Sequence, residues 1–262
     1  MRIHARRCFG VHPGDGNPAL VIEDDASDSQ TRQAFAREHD ITCVWIDPVR
    51  SDGSAATLDF WYPHTRSPLC LHATLAAAQM LFARLGDGAP LTVRTAMEGQ
   101  QLALLRDGDA LFVRLAPQAV AQPLLEPSLV TRLLRLPDAA LAGTPRVVSV
   151  GSAKLLVEVA DAATLHGLTP DLGAIAEWAK QAGVNGLYVY SRRTDGVFEG
   201  RNFNHLDPWL EDSATGVAAG ALSVLLGHDL SLLQGQATGR ACVIHARPDD
   251  GMVLVGGRVE AA

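Results

Sequence analysis

The alternation of apolar and polar residues along the chain predicts a protein built mainly from strands. Short apolar or alternating runs end at turn-forming residues, which is typical of strands joined by tight connections. Such runs lie at 19–22, 44–46, 57–62, 91–94, 110–115, 146–151, 154–159, 186–190, 241–246 and 252–256. Helical periodicity predicts peripheral helices at 29–38, after a cap at Ser27 or Asp28, and at 171–181.

Two further segments are nearly all apolar and begin alike. They are 71–79 (LHATLAAAQ) and 212–220 (DSATGVAAG), and their shared alanines, Ala73 and Ala214, are separated by a little more than half of the 262-residue chain. A helix that is apolar all round is a buried one. The pattern therefore predicts an α+β fold with two pseudo-symmetric halves. Each half is expected to be a curved, mostly antiparallel β-sheet or barrel around a central helix that starts near Thr74 or Ala214.

Weak periodicity at 118–122, flanked by Pro117 and Pro123, predicts a linker there and hence domains at 1–117 and 118–250. With 47% hydrophobic and 19% charged residues the composition is that of a globular protein. The net charge of −7, without a basic cluster, argues against nucleic acid as a partner. No apolar run is long enough to span a bilayer, and the first residues contain no apolar signal core, so we expect no membrane association and a cytoplasmic location.

The residues also indicate which cofactors to expect. Four cysteines, Cys8, Cys43, Cys70 and Cys242, are scattered without a C-x-x-C pair. The chain has no P-loop, no glycine-rich dinucleotide motif and no pair of histidines at metal-ligand spacing. The expectation is therefore a protein that uses neither a metal nor another cofactor.

The repeated helix start has a chemical interpretation. The first N–H groups of a helix lack internal partners and carry the positive end of its dipole, so two such ends facing one cleft would bind a small carboxylate and stabilise an adjacent enolate. His72 and Asp212 are then candidate proton-transfer groups. The candidate substrate-binding positions are Leu71, Ala73, Thr74, Ser213, Thr215, Gly216 and Val217. The alternative is structural: Asp212 and Thr74 merely cap helices, and His72 is a surface histidine.

Several motifs in order resemble the PhzF family of phenazine-biosynthesis-like isomerases, which have the diaminopimelate-epimerase-like fold. They are GNPALV at 16–21, REHDIT at 37–42, LHATL at 71–75, GRNF at 200–203, EDSATG at 211–216, QGQATGR at 234–240 and VGG at 255–257. The resemblance implies that the C-terminal segment 251–262 joins the first domain. It also implies a homodimer and a reaction without a cofactor.

Departures from the family pattern concern the site itself. The family's catalytic Glu falls on Cys43, while its His and Asp fall on His72 and Asp212. Racemases and epimerases of this fold use cysteines at the two helix starts to move an α-proton, so a thiol at 43, activated by His72, is a candidate acid/base. Cys70 is a weaker candidate. The alternative for Cys43 is an inert core residue.

These features predict a cofactor-independent isomerase or epimerase that moves a proton at the carbon adjacent to the carboxylate of a small molecule, in a cleft between the two helix N-termini. The alternative is a catalytically altered relative that binds a small carboxylate as a sensor or accessory protein. Replacement of the acidic residue at position 43 motivates that alternative.

Overall fold

The computed structural model describes residues 1–49, 53–86, 89–126, 128–206 and 210–262. It divides into two compact units, one formed by Met1–Leu115 with Leu254–Ala262 and the other by Ala116–Val253. The sequence had suggested boundaries at 117/118 and 250/251. Within the described residues, no helix is long and apolar enough to cross a membrane.

The first unit is a closed barrel around one helix. Its strands are β1 (Arg2–Cys8), β2 (Asn17–Glu23), β3 (Cys43–Asp47), β4 (Thr57–Trp61), β5 (Arg66–Ser67), β6 (Leu91–Thr95), β7 (Gln101–Asp107), β8 (Ala110–Leu115) and β15 (Met252–Ala261), and its helices are α1 (Ser29–His39) and α2 (Leu71–Leu85). Eight strands follow in the order β1-β2-β3-β4-β6-β7-β8-β15, and β15 pairs back to β1. Helix α2 packs against β1, β2, β3, β4 and β8, so its apolar surface fills the barrel.

The second unit wraps a six-stranded sheet around another apolar helix. Its elements are α3 (Leu129–Leu134), β9 (Arg146–Val148), β10 (Lys154–Glu158), α4 (Ala162–His166), α5 (Leu172–Ala182), β11 (Leu187–Arg192), β12 (Phe198–Phe203), α6 (Gly216–Leu226), β13 (Leu230–Gln234) and β14 (Cys242–Asp249). The sheet order is β14-β13-β12-β11-β10-β9. Helix α6 packs against β9, β10 and β14. A separate apolar cluster joins the sheet to α3, α4 and α5.

The two units repeat one plan. In chain order the first unit contains β1, β2, α1, β3, β4, α2, β6 and β7. The corresponding elements of the second unit are β9, β10, the two helices α4 and α5, β11, β12, α6, β13 and β14. The parallel pairs also correspond: β2/β3 and β4/β6 in one unit match β10/β11 and β12/β13 in the other. The pairs β1/β15, β1/β2, β3/β4, β6/β7, β7/β8, β9/β10, β11/β12 and β13/β14 are antiparallel. The predicted α+β fold with two pseudo-symmetric halves is confirmed.

Helix starts were predicted less well than helix existence. Helix α1 is capped by Asp28, one of the two expected residues, whose carboxylate accepts from Thr31 N. Helix α2, however, begins at Leu71, before the predicted Thr74, and α6 begins at Gly216, after the predicted Ala214. Relative to their common Ala-Thr pair, α6 therefore starts about one turn later than α2. The strands β1, β5, β7, β12 and β13 and the short helices α3 and α4 had no counterpart in the prediction.

A buried ion-pair network fastens α1 to the barrel. The guanidinium of Arg32 donates to both carboxylate oxygens of Asp47, at 2.7 and 2.8 Å, and to Asp59 at 3.0 Å. Asp59 also accepts from Arg66 and from the indole N–H of Trp61. Because Arg32 and Asp59 are both buried, each charge depends on the other for compensation.

Candidate active site

The N-terminal end of α2 brings a thiol and an imidazole together. Cys70 is the N-cap residue, and His72 is the second residue of the helix. The Sγ atom of Cys70 lies 3.4 Å from Nδ1 of His72 and 3.8 Å from Nε2. Both residues are buried. A thiol and an imidazole, both able to transfer protons, therefore lie side by side at this helix start.

Neighbouring groups hold this pair in place. The hydroxyl of Thr74 donates to Cys70 O at 2.7 Å, beside the first backbone bond of the helix from Thr74 N to the same oxygen. The side-chain amide of Asn17, the first residue of β2, lies 3.4 Å from His72 Nδ1. Cys8 donates its S–H to His72 O. His72 is thus not the surface histidine of the structural alternative, and the hydroxyl of Thr74 serves the helix start.

Cys43 lies elsewhere in the first unit. It opens β3 and packs in a cluster with Ala36 of α1 and with Trp45 and Trp61. Because side chains alternate along a strand, Cys43 and Trp45 share the face of β3 that meets α1, and Val44 takes the opposite face. Burial raises the pKa of the Cys43 thiol to about 12, which opposes the thiolate. These surroundings correspond to the core-packing alternative, and Cys70, the weaker candidate, is the cysteine beside the imidazole ring of His72.

The N-terminal end of α6 presents a carboxylate. The N-cap is Thr215, so Asp212 precedes the helix instead of capping it. The Thr215 hydroxyl donates to Asp212 Oδ2 at 3.1 Å. Gln234 closes the arrangement: its side-chain N–H groups donate to Asp212 O and to Thr215 Oγ1, and its carbonyl oxygen accepts from Thr215 N. Ser213 is fixed by a 2.7 Å bond to Thr238.

Buried polar side chains on β10, β11, β12 and β13 extend this arrangement. Asn202 and Gln234 lie in the GRNF and QGQATGR motifs, whereas no motif indicated Lys154 or Tyr188. The ammonium of Lys154 donates to Asn202 Oδ1 at 2.8 Å, and the hydroxyl of Tyr188 donates to Gln234 Oε1 at 2.8 Å. Burial lowers the pKa of Lys154 to about 7, against the opposing effect of the Asp212 carboxylate. Burial, with Asp212 and Glu211, raises the pKa of Tyr188 well above its usual value. The signal that the sequence offered for this buried polar group was a lysine at the first position of a strand whose next three residues are apolar.

The two central helices share an uncapped start. Helices α1, α4 and α5 each begin with an aspartate whose carboxylate accepts a backbone N–H of the first turn. Neither α2 nor α6 has a side-chain bond to its first turn, and the six-residue α3 resembles them. The small residues at these starts, Ala73 and Gly216, are buried like Leu71, whereas Val217 is partly exposed. First-turn N–H groups without a side-chain acceptor suit an anionic ligand.

The described residues hold no group of three or more His, Cys, Asp or Glu side chains arranged for a metal ion. All four cysteines are free and buried.

The sequence model of the phenazine biosynthesis-like proteins (PhzC-PhzF) matches residues 7–258. The chain is 31% identical to an uncharacterized isomerase from Deinococcus radiodurans, over 97% of this chain and 87% of the relative.

Solved structures agree with this match. A protein from Pseudomonas aeruginosa described as a predicted epimerase superposes with a TM-score of 0.81 at 28% identity, covering 100% of this chain and 96% of its own. A hydroxyproline epimerase from Agrobacterium vitis, solved with bound trans-4-hydroxy-L-proline, gives 0.59 at 12% identity, covering 99% and 90%, and so shares the fold alone.

Proposed function

The chain belongs to the phenazine biosynthesis-like (PhzC-PhzF) family of isomerases, and we propose that it moves a proton at the carbon adjacent to the carboxylate of a small molecule. The proposal rests chiefly on one observation: each unit contains a central helix without a side-chain cap and places a titratable side chain at that helix start. The proton-transfer groups are His72 with Cys70 in the first unit and Asp212 in the second. The reaction needs no cofactor.

The first-turn N–H groups of α2 and α6 are the proposed carboxylate ligands. An anion bound by such groups gains from their unfulfilled hydrogen-bonding capacity and from the helix dipole. Backbone around Ala73 and around Gly216 and Val217 contributes the donors. Leu71 adds an apolar wall, and Ser213, Thr74 and Thr215 hold the two helix starts in shape.

The proposed chemistry conserves atoms and charge. One group removes the proton from the α-carbon, and the C–H electron pair passes into the conjugated carboxylate as an enolate. The second group returns a proton to the opposite face of that carbon in an epimerisation, or to a conjugated carbon in an allylic shift. Donors aimed at the developing oxyanion lower the barrier because its charge appears only as the proton leaves.

We assign the thiol–imidazole base to Cys70 with His72 and not to Cys43. Their side chains lie 3.4 Å apart at the start of α2, so a ligand held by that helix start would meet both groups. Cys43 packs against α1 instead, and burial raises its thiol pKa to about 12.

The test is exchange of the α-proton with solvent. The protein is incubated in D₂O with a panel of amino acids and unsaturated carboxylic acids, and deuterium at carbon is followed by NMR. At least one compound is expected to gain deuterium or to interconvert with an isomer, and Asp212→Asn should suppress this. A panel without exchange, with the protein folded, would reject the proposal.

Core packing of Cys43, where the family has its catalytic Glu, favours a second candidate, a carboxylate-binding protein without turnover. The same panel separates the two. Saturable binding of one acid, measured by calorimetry, with no exchange of its α-proton identifies the binding protein.

We also propose that the chain forms a homodimer, on the strength of the family resemblance. Light scattering at micromolar concentration is expected to give twice the 27.8 kDa chain mass. A mass equal to one chain would contradict this.

A further inference from the structure

Lysine is rare in this chain, and one of its two lysines is buried. Lys154 and Lys180 are the lysines among 22 basic residues, and the others are arginines. Lys180 lies exposed on α5, whereas Lys154 is 1% exposed. A buried ammonium loses its hydration and persists only where other groups compensate for that loss.

The side chain of Lys154 points to the face of the sheet that meets α6. Its strand neighbours Leu155 and Val157 belong to the apolar cluster under α3, α4 and α5. Alternation along β10 therefore turns Lys154 to the opposite face, where α6 packs. Its Nζ atom is held by Asn202 Oδ1 at 2.8 Å.

Asp212 is the carboxylate that compensates Lys154. Its charge opposes the effect of burial on the pKa of the lysine, which lies at about 7. Among the buried polar side chains on β10, β11, β12 and β13, Tyr188 is the other titratable one, and its pKa lies well above the usual range. Asp212 is in turn held by Thr215, and Thr215 by Gln234. In the register of β11 and β12, Tyr188 stands opposite Asn202, the partner of Lys154, and Tyr188 in turn bonds Gln234. The lysine and the half-buried carboxylate therefore border one polar cluster at the start of α6.

The first unit contains an arrangement that matches Lys154 and Asp212. Asn17 is the first residue of β2, as Lys154 is of β10, and these strands correspond in the two units. Asn17 contacts His72, the titratable side chain at the start of α2, at 3.4 Å. In both units a buried polar side chain at the same place in the plan thus interacts with the titratable group of the helix start.

We infer that Lys154 is a positioning residue for Asp212: its ammonium group, tied to Asn202, balances the charge of Asp212 and holds it ready for proton transfer. This inference deepens the proposed function and rests on it for the role of Asp212. The pairing of Lys154 with Asp212 is open to test without any substrate.

The first experiment titrates Lys154 itself. In the Lys180→Arg variant, labelled with [ε-¹³C]lysine, Lys154 gives the single lysine resonance, and its NMR midpoint should lie near pH 7. Adding Asp212→Asn should lower that midpoint by about one pH unit, because an opposite charge is removed. Glu177→Gln, on the exposed face of α5, is the matched control and should leave it in place. A midpoint near 10.5, or one that Asp212→Asn leaves unchanged, overturns the inference.

The second experiment separates positioning from structural support. Lys154→Met/Asn202→Leu removes both partners of the bond and leaves neither one unsatisfied. We expect at least a tenfold fall in kcat for α-proton exchange, with KM changed less, and a Tm equal to or above that of the parent. A lowered Tm with unchanged kcat would assign Lys154 a structural role. If the panel shows no exchange with the parent protein, the proposed function fails, while the NMR titration still decides the pairing.

Discussion

The Sγ atom of Cys70 lies 3.4 Å from Nδ1 of His72, at the first turn of the helix that fills the first barrel. This contact places a thiol and an imidazole together at a helix start whose N-cap residue makes no side-chain cap bond. Cys43, the position at which the family resemblance places a catalytic Glu, packs instead against α1.

Cys70→Ala is expected to reduce α-proton exchange by about 10²–10⁴-fold, the usual loss when a general base is removed. Its Tm should stay within a few degrees of the parent, because the helix keeps the Thr74 bond to the backbone carbonyl at position 70. Cys70→Ser tests the chemistry, since a hydroxyl has the shape of the thiol without its acidity. Full activity in both variants would remove Cys70 from the mechanism.

Cys43→Ala should have the reverse effect. Loss of a packed sulfur leaves a cavity beside Trp45 and Trp61, at a cost of about 1 kcal/mol or more in the free energy of unfolding. Urea denaturation measures the cost, and the exchange rate should be unchanged. Loss of exchange with intact stability would return Cys43 to the active site.

Arg32→Leu should destabilise the first unit strongly. Asp59 would remain buried with Arg66 as its remaining ion-pair partner, and breaking a buried ion pair typically costs about 3–5 kcal/mol. Arg258→Leu is the control, because its ion pair with Asp109 joins two exposed side chains. Denaturation curves that coincide for the two variants would contradict the role assigned to the network around α1.

The free energy of unfolding should depend on pH because of Lys154. Its folded pKa of about 7 lies below the unfolded value of 10.5, so the unfolded state binds more protons between these values. Its destabilising contribution is therefore full below pH 7, shrinks as the pH rises, and vanishes above 10.5. Relative to the parent, Lys154→Met/Asn202→Leu should gain on the order of 3 kcal/mol at pH 6 and progressively less toward pH 10. A stability difference independent of pH would show that Lys154 titrates normally.

Local patterns predicted much of the fold. The alternating runs are strands in the structure, and the two apolar segments are the central helices. An element buried on one side shows a regular alternation of apolar and polar residues, and an element buried on all sides is a continuous apolar run. Helix α5 (Leu172–Ala182) lies within one residue of the predicted 171–181 at each end. These features depend on residues close together in the chain.

The site was less predictable because its contacts are not local. Whether Cys43 faces α1 or α2 depends on how β3 is oriented, which the short run at 44–46 did not determine. The row formed by Lys154, Tyr188, Asn202 and Gln234 joins four strands that are far apart in the sequence. Cys70 followed a strand-like stretch, and only the start of α2 at Leu71 made it the N-cap.

The return of β15 to the first unit has a consequence for synthesis on the ribosome. The strands β9–β14 of the second unit are all translated before residues 254–262, which the first unit needs to close its barrel. Until then the edges of β1 and β8 have no partner in β15, and such open edges invite pairing with other chains. The part of the protein that emerges first is therefore the part that finishes folding last, and a nascent chain stalled before residue 254 would carry a completed second unit beside an open first one.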